Sequence, residues 1–111
     1  MRNFRLITNA FKDKDLHLSR RIVSYIEDKG GRAGISVSNI EGVVAEDFLL
    51  RTFDDTECII VLGGDGTLIR AATKVESLGI PLIGVNLGTL GYLCELEETS
   101  VFAAIDRLMS D

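Results

Sequence analysis

Five consecutive apolar residues, Cys58-Ile59-Ile60-Val61-Leu62, run without a break into Gly63-Gly64-Asp65-Gly66-Thr67. An apolar run of strand length fits a β-strand covered on both faces, the mark of a parallel sheet with helices on each side. The glycines that follow let the backbone turn sharply and aim consecutive N–H groups at an anion, because no Cβ stands in the way. One carboxylate, Asp65, is left beside whatever those amides hold.

A second strand and turn repeat the pattern. Pro81-Leu82-Ile83-Gly84-Val85 reads as a strand with proline at its first residue, a tolerated position, and Asn86-Leu87-Gly88-Thr89-Leu90-Gly91-Tyr92-Leu93 follows. In open α/β sheets ligands bind outside the carboxyl ends of the strands, so two such turns from parallel strands are expected to line one crevice.

The remaining segments alternate between strand and helix signals. Residues 4–9 read as a strand, and 13–29 as a helix with Leu18, Ile22, Tyr25 and Ile26 at helical spacing. Gly30-Gly31 ends that helix in the manner of a left-handed cap. Residues 33–38 form a short second strand, and Phe48, Leu49 and Leu50 suggest a short helix within 43–53. Leu68, Ala72 and Val75 share one stripe of a helix over 67–78, closed by Gly79. A last helix is expected over 97–109, with Thr99 or Ser100 as N-cap and Val101, Ala104, Ile105 and Leu108 facing a core. This order predicts a doubly wound, Rossmann-like α/β domain, a parallel sheet flanked by helices with right-handed crossovers.

At 111 residues the chain is one domain, short for a complete two-substrate enzyme. Its net charge of −5 and the lack of a Lys/Arg cluster argue against a nucleic-acid partner. A phosphorylated ligand must then be met by backbone amides, a few placed cations or a metal. No apolar run approaches the roughly 18 residues of a membrane span, and the start Met1-Arg2-Asn3-Phe4 has no signal-peptide core, so a cytoplasmic protein without a membrane partner is expected. Cys58 and Cys94 have neither metal-site spacing nor the density of a disulfide scaffold and read as structural thiols. His17, on a charged helical stretch, reads as solvated.

The glycine turn is neither of two common phosphate loops. The pattern G-x-x-x-x-G-K-[ST] fails because Leu68 stands five places after Gly63, and G-x-G-x-x-G/A fails because Ile69 occupies its last position. Instead, Gly63-Gly64-Asp65-Gly66-Thr67-Leu68-Ile69-Arg70 resembles the signature shared by NAD kinases, diacylglycerol and sphingosine kinases and phosphofructokinases. The second turn, from Gly84 to Leu93, resembles the NAD kinase segment closely, apart from Tyr92, where many members carry Phe. The Gly-Thr-x-Asn-Asp run of the lipid kinases is absent.

The NAD kinase resemblance implies transfer of the ATP γ-phosphoryl group to the 2′-hydroxyl of the adenosine ribose of NAD, with Mg²⁺ or another divalent cation accompanying ATP. It implies Asp65 as the catalytic residue at the attacking hydroxyl. A carboxylate at a helix N-terminus is held ionised, so orientation can outweigh proton removal. Gly64, Gly66 and the Thr67 amide would cradle phosphate or the ribose edge, Arg70 would reach a diphosphate oxygen, Asn86 a ribose hydroxyl or base edge, and Tyr92 would stack on adenine. Read without the resemblance, each has a structural alternative: an Asx turn for Asp65, a tight turn for the glycines, an ion pair with Glu76 for Arg70, a turn-starting residue for Asn86, a core aromatic for Tyr92. Gly88 and Gly91 read as backbone requirements.

NAD kinases also use an Asn-acid pair and an all-β domain further on. None of Asn3, Asn9, Asn39 or Asn86 precedes an acid, so the resemblance implies that residues 1–111 are the N-terminal α/β domain of a longer enzyme, inactive alone. That enzyme would be a homo-oligomer, a dimer or tetramer. A lipid or sugar kinase with the same turn, or a non-catalytic nucleotide-binding module, is the alternative.

Overall fold

A computed structural model of the chain describes residues 1–38, 56–75, 79–87 and 96–110. Five strands, β1 (Asn3–Asn9), β2 (Arg32–Ser38), β3 (Cys58–Gly63), β4 (Leu82–Asn86) and β5 (Leu96–Glu97), form one sheet in the order β2-β1-β3-β4-β5. Every pairing is parallel. Among the described residues three α-helices accompany it: α1 (His17–Asp28), α2 (Asp65–Val75) and α3 (Val101–Met109).

Alternation along the strands explains the two layers. Phe4, Leu6, Cys58, Ile60, Leu62 and Val85 face one side, where they join Leu18, Ile22 and Ile26 of α1 and Val101, Ile105 and Met109 of α3. Ile7, Ile59 and Val61 face the other side, against Ala71 and Val75 of α2. Successive side chains of a strand point to opposite faces, and all six residues of β3 are buried because both faces are covered. This is the doubly wound arrangement expected from the apolar run. Cys58 is accordingly a buried packing residue, its thiol pushed up to about 11 by burial, whereas Cys94 lies outside the described residues.

Several boundaries differ from the sequence reading. Helix α1 begins at His17 rather than 13, after a short 3-10 turn in which Asp15 and Leu16 both have left-handed φ, 56° and 55°. Asp13 still serves the helix. Its buried carboxylate accepts the N–H groups of Leu18 (2.9 Å) and Ser19 (3.2 Å), together with the hydroxyls of Ser19 and Thr8. At the other end, Gly30 has φ +89°, the Gly30 N–H meets the Glu27 carbonyl (3.0 Å) and the Gly31 N–H meets that of Ile26 (2.9 Å). Those two bonds form the paired closure of a Schellman motif.

Helix α2 starts at Asp65, two residues earlier than expected, because Gly64 occupies the cap position and its carbonyl accepts the Leu68 N–H at 3.1 Å. Its core stripe runs through Leu68, Ala71 and Val75, with Ala71 fully buried and Ala72 on the flank. Residues 96 and 97 join the sheet as β5, a strand the sequence did not suggest, so α3 begins at Val101. Ser100 stands at the cap position, yet its hydroxyl accepts the Glu97 N–H (2.9 Å) and so fastens the β5–α3 turn rather than the helix. On α3 the buried residues are Val101, Ile105 and Met109, with Ala104 and Leu108 half-buried. The suggested helix within 43–53 lies outside the described residues.

A polar clasp joins α1 to α3 at their outer faces. The Tyr25 hydroxyl donates to Asp106 at 2.6 Å, Lys29 pairs with the same carboxylate at 2.6 Å, and the Tyr25 and Phe102 rings meet edge to face. The hydrogen bonds from Lys29 and Tyr25 hold the Asp106 carboxyl below its ordinary value. Backbone N–H groups of Arg2 and Asn3 do the same for Glu57.

Two outcomes follow from this packing. Ile60→Ala, which removes most of a fully buried side chain from the central strand, should cost about 2–5 kcal/mol in urea unfolding. Depressed carboxyl values mean that the unfolded chain takes up protons first. The stabilisation by Asp106 and Glu57 is therefore complete above their ordinary values of 3.8 and 4.5 and drains away as pH falls through the lower folded values. In an unfolding series from pH 7 to pH 3, Asp106→Asn should lose stability less steeply than the parent chain.

Candidate functional site

Strand order places the site. The sheet proceeds from β1 outward to β2 on one side and through β3, β4 and β5 on the other, so the order reverses between β1 and β3. Ligands of open α/β sheets bind at the carboxyl ends of the strands at such a reversal. Here those ends are Asn9 and Gly63, with Asn86 of β4 next to Gly63.

The two turns singled out in the sequence emerge side by side. Gly63 and Asn86 are register partners in the parallel β3–β4 pair, and the Leu87 N–H donates to the Gly63 carbonyl at 2.9 Å. Asp65 is the first residue of α2 and half-buried. Since the α2 ladder opens with the Leu68 N–H on the Gly64 carbonyl, the amides of Gly66 and Thr67 precede it and belong to the positive end of the helix.

Thr67 also shapes the turn through its side chain. Its side chain is 4% exposed and sits so close to the turn that a Cβ on Gly63 would stand 2.8 Å from its Oγ1 and 3.0 Å from its own Cβ. Position 63 is glycine because Thr67 already fills the volume.

Arg70, an exposed residue one turn along α2, folds back over the turn, its guanidinium nitrogen 3.2 Å from the point where a Cβ on Gly66 would stand. Asn86 carries an orphan: its Oδ1 is sealed from solvent and has no hydrogen-bond partner among the described residues. An unmet buried acceptor costs about 1–3 kcal/mol. Tyr92, Gly88, Gly91 and Glu76 lie outside the described residues.

The exit of β1 was not read as part of the site from the sequence. Asn9 is 8% exposed, and its Cβ stands 3.4 Å from the Cβ position of Gly63. Its side-chain oxygen accepts the Phe11 N–H (3.0 Å), and its carbonyl accepts those of Lys12 (3.0 Å) and Asp13 (2.8 Å). Lys12 reaches to within 3.0 Å of the Cβ position of Gly64. The signal for this lay in topology: a loop leaving the strand beside the glycine turn must border it. His17 is exposed, as expected. Among the described residues no helix is long and apolar enough to cross a membrane.

Sheet order and the paired turns define a doubly wound α/β domain of the kind that takes its ligand at the strand carboxyl ends. The chain belongs to the ATP-NAD kinase N-terminal domain family, whose sequence pattern matches residues 4–111. It is 61% identical over 112 residues to an NAD kinase of Agathobacter rectalis, covering all of this chain and 40% of that protein. It is also 38% identical to an NAD kinase of Lachnospira eligens, covering 100% and 39% of the two chains, and 37% identical to one of Lachnoclostridium phytofermentans, covering 97% and 38%. The chain thus spans about 40% of the length of these relatives.

Gly63→Ala should cost about 1–3 kcal/mol, because the added methyl meets a buried Thr67 that cannot withdraw. Gly64→Ala meets only the flexible end of Lys12, so its urea midpoint should stay closer to that of the parent.

Proposed function

We propose that this chain is the α/β part of an NAD kinase, which transfers the γ-phosphoryl group of ATP to the 2′-hydroxyl of the adenosine ribose of NAD and yields NADP. What carries the reading is the register pairing of Gly63 with Asn86, which makes the strand end leading to Asp65 and the strand end carrying Asn86 neighbours in the sheet. Family membership and the NAD kinases that share its sequence support the same choice.

Phosphoryl transfer passes through a loose transition state, so the protein contributes mainly positioning and charge neutralisation. In this reading Asp65 orients the attacking hydroxyl and accepts its proton as the new bond forms. The amides of Gly64, Gly66 and Thr67 hold phosphate at the helix N-terminus, Arg70 meets a diphosphate oxygen, and Asn86 accepts a ribose hydroxyl or base N–H. Tyr92 stacks on adenine in the same proposal.

No group of three His, Cys, Asp or Glu side chains among the described residues is arranged to hold a metal, and Asp65 offers the turn a single carboxylate. In this reading Mg²⁺, or another divalent cation, enters on the ATP phosphates. When bound, the ion would neutralise charge on the transferred group. The full enzyme in this reading adds an all-β domain, assembles as a homo-oligomer and works in the cytoplasm. These three elements rest on the family resemblance.

In the full-length protein supplied with ATP, NAD should be phosphorylated, and diacylglycerol and fructose 6-phosphate should not. Product on either of the latter would assign the turn to a lipid or sugar kinase. Asp65→Asn should lower kcat for NADP formation by about 10²–10⁴-fold with unchanged thermal unfolding. Retention of activity within a few-fold would remove Asp65 from the chemistry.

A further inference from the structure

We propose that the outer row of α1 is a self-association surface, onto which a second copy of this chain lays its own α1 antiparallel, about a two-fold axis at Ser24. The proposal does not need the phosphoryl-transfer reading, since α1 lies on the layer of the sheet opposite α2 and its glycine turn.

Arg20, Ser24 and Asp28 stand four residues apart on α1 and so follow one row of the helix. All three border a groove of about 650 Å³ that Arg21, Tyr25 and Phe102 also line. Charges on the next row are already met within the chain. Arg21 lies over the Phe102 ring, 5.1 Å from its centre, and Lys29 lies over Tyr25 and pairs with Asp106. Arg20 and Asp28 differ. Both are exposed, and among the described residues neither side chain has a hydrogen bond or an ion pair.

Their order along the helix is unfavourable within one copy. A cation near the N-terminus and an anion at the C-terminus each meet the wrong end of the helix dipole, and α1 has no acidic residue in its first turn and no basic one in its last. Nor does an opposite charge stand three or four residues from either within the helix. A two-fold axis at Ser24 removes both faults. Residues equidistant from the axis change places, so Arg20 of each copy faces Asp28 of the other, in two identical pairs about 12 Å apart along the helix. Each cation then lies beside the C-terminal end of the other helix. Ser24, small and exposed, lets the two helices approach where they cross.

A row that carries both signs symmetrically about a small residue matches itself, whereas a purely acidic or purely basic partner would meet one like charge for every opposite one. The half-buried rings beside the row supply the apolar part of the contact. Tyr25 and Phe102 meet edge to face with centres 5.0 Å apart, and the Tyr25 hydroxyl is fixed on Asp106, so little ordering remains to be done on association.

Sedimentation equilibrium of the full-length protein tests the surface, and its outcome does not depend on whether that protein makes NADP. Arg20→Asp places two like-charged pairs at the contact, as does Asp28→Arg, and each should raise the dissociation constant of one assembly step by about tenfold or more. Neither reversal should lower the unfolding temperature, because each suits the dipole of its own helix. An equimolar mixture of the two variants brings opposite charges together at both pairs and should assemble as the parent does. A parent that is monomeric would overturn the proposal. So would reversals that leave assembly unchanged, the result expected if another segment of the full-length chain covers the groove, or variants that remain apart when mixed.

Discussion

Everything at the carboxyl rim hangs on the hydrogen bonding of β3, which is paired to β1 on one side and β4 on the other along nearly its full length. Parallel pairing fixes where each neighbour ends, so the last residue of β3, Gly63, is set beside the last residue of β4, Asn86. A slip of one residue would turn every buried side chain of β3 to the opposite layer. Because both layers are filled, each choice of face is enforced by packing. The position of the turn is therefore a consequence of the core.

From that rim the local chemistry builds outward. Gly64 takes the cap position and lets α2 begin at once, which puts Asp65 and the amides after it at the positive end of a helix. Asn86 brings a carboxamide oxygen from the next strand, and the β1 exit brings a lysine from the strand on the other side. Three strand ends thus contribute to one rim, each with a different kind of group: a carboxylate among amides, an amide acceptor and a cation.

Much of this was legible in the residues. The unbroken apolar run 58–62 pointed to a strand covered twice, and the two glycine turns pointed to neighbouring strand ends. What escaped had physical causes. Gly64 and Gly66 read as turn residues, although glycine is tolerated where a helix starts, so α2 appeared to begin at Thr67. Residues 96 and 97 are too few to show alternation, and Glu97 reads as the start of a helix. Ala71 displaced Ala72 from the core stripe because residues three and four beyond Leu68 lie on the same helix face, and spacing alone does not choose between them. Asn9 and Lys12 carried no local signal at all, since their place beside the glycine turn depends on which strands are neighbours, and that is decided by the order of the sheet.

Thr67 joins two roles usually kept apart. The side chain that closes the gap beneath Gly63 belongs to the same residue whose amide faces the rim. A disturbance large enough to slacken the turn must therefore dislodge a plug that sits against the sheet, and the glycine turn has no independent way to soften. Heat or denaturant should take the turn and the fold together, in a single transition rather than in two.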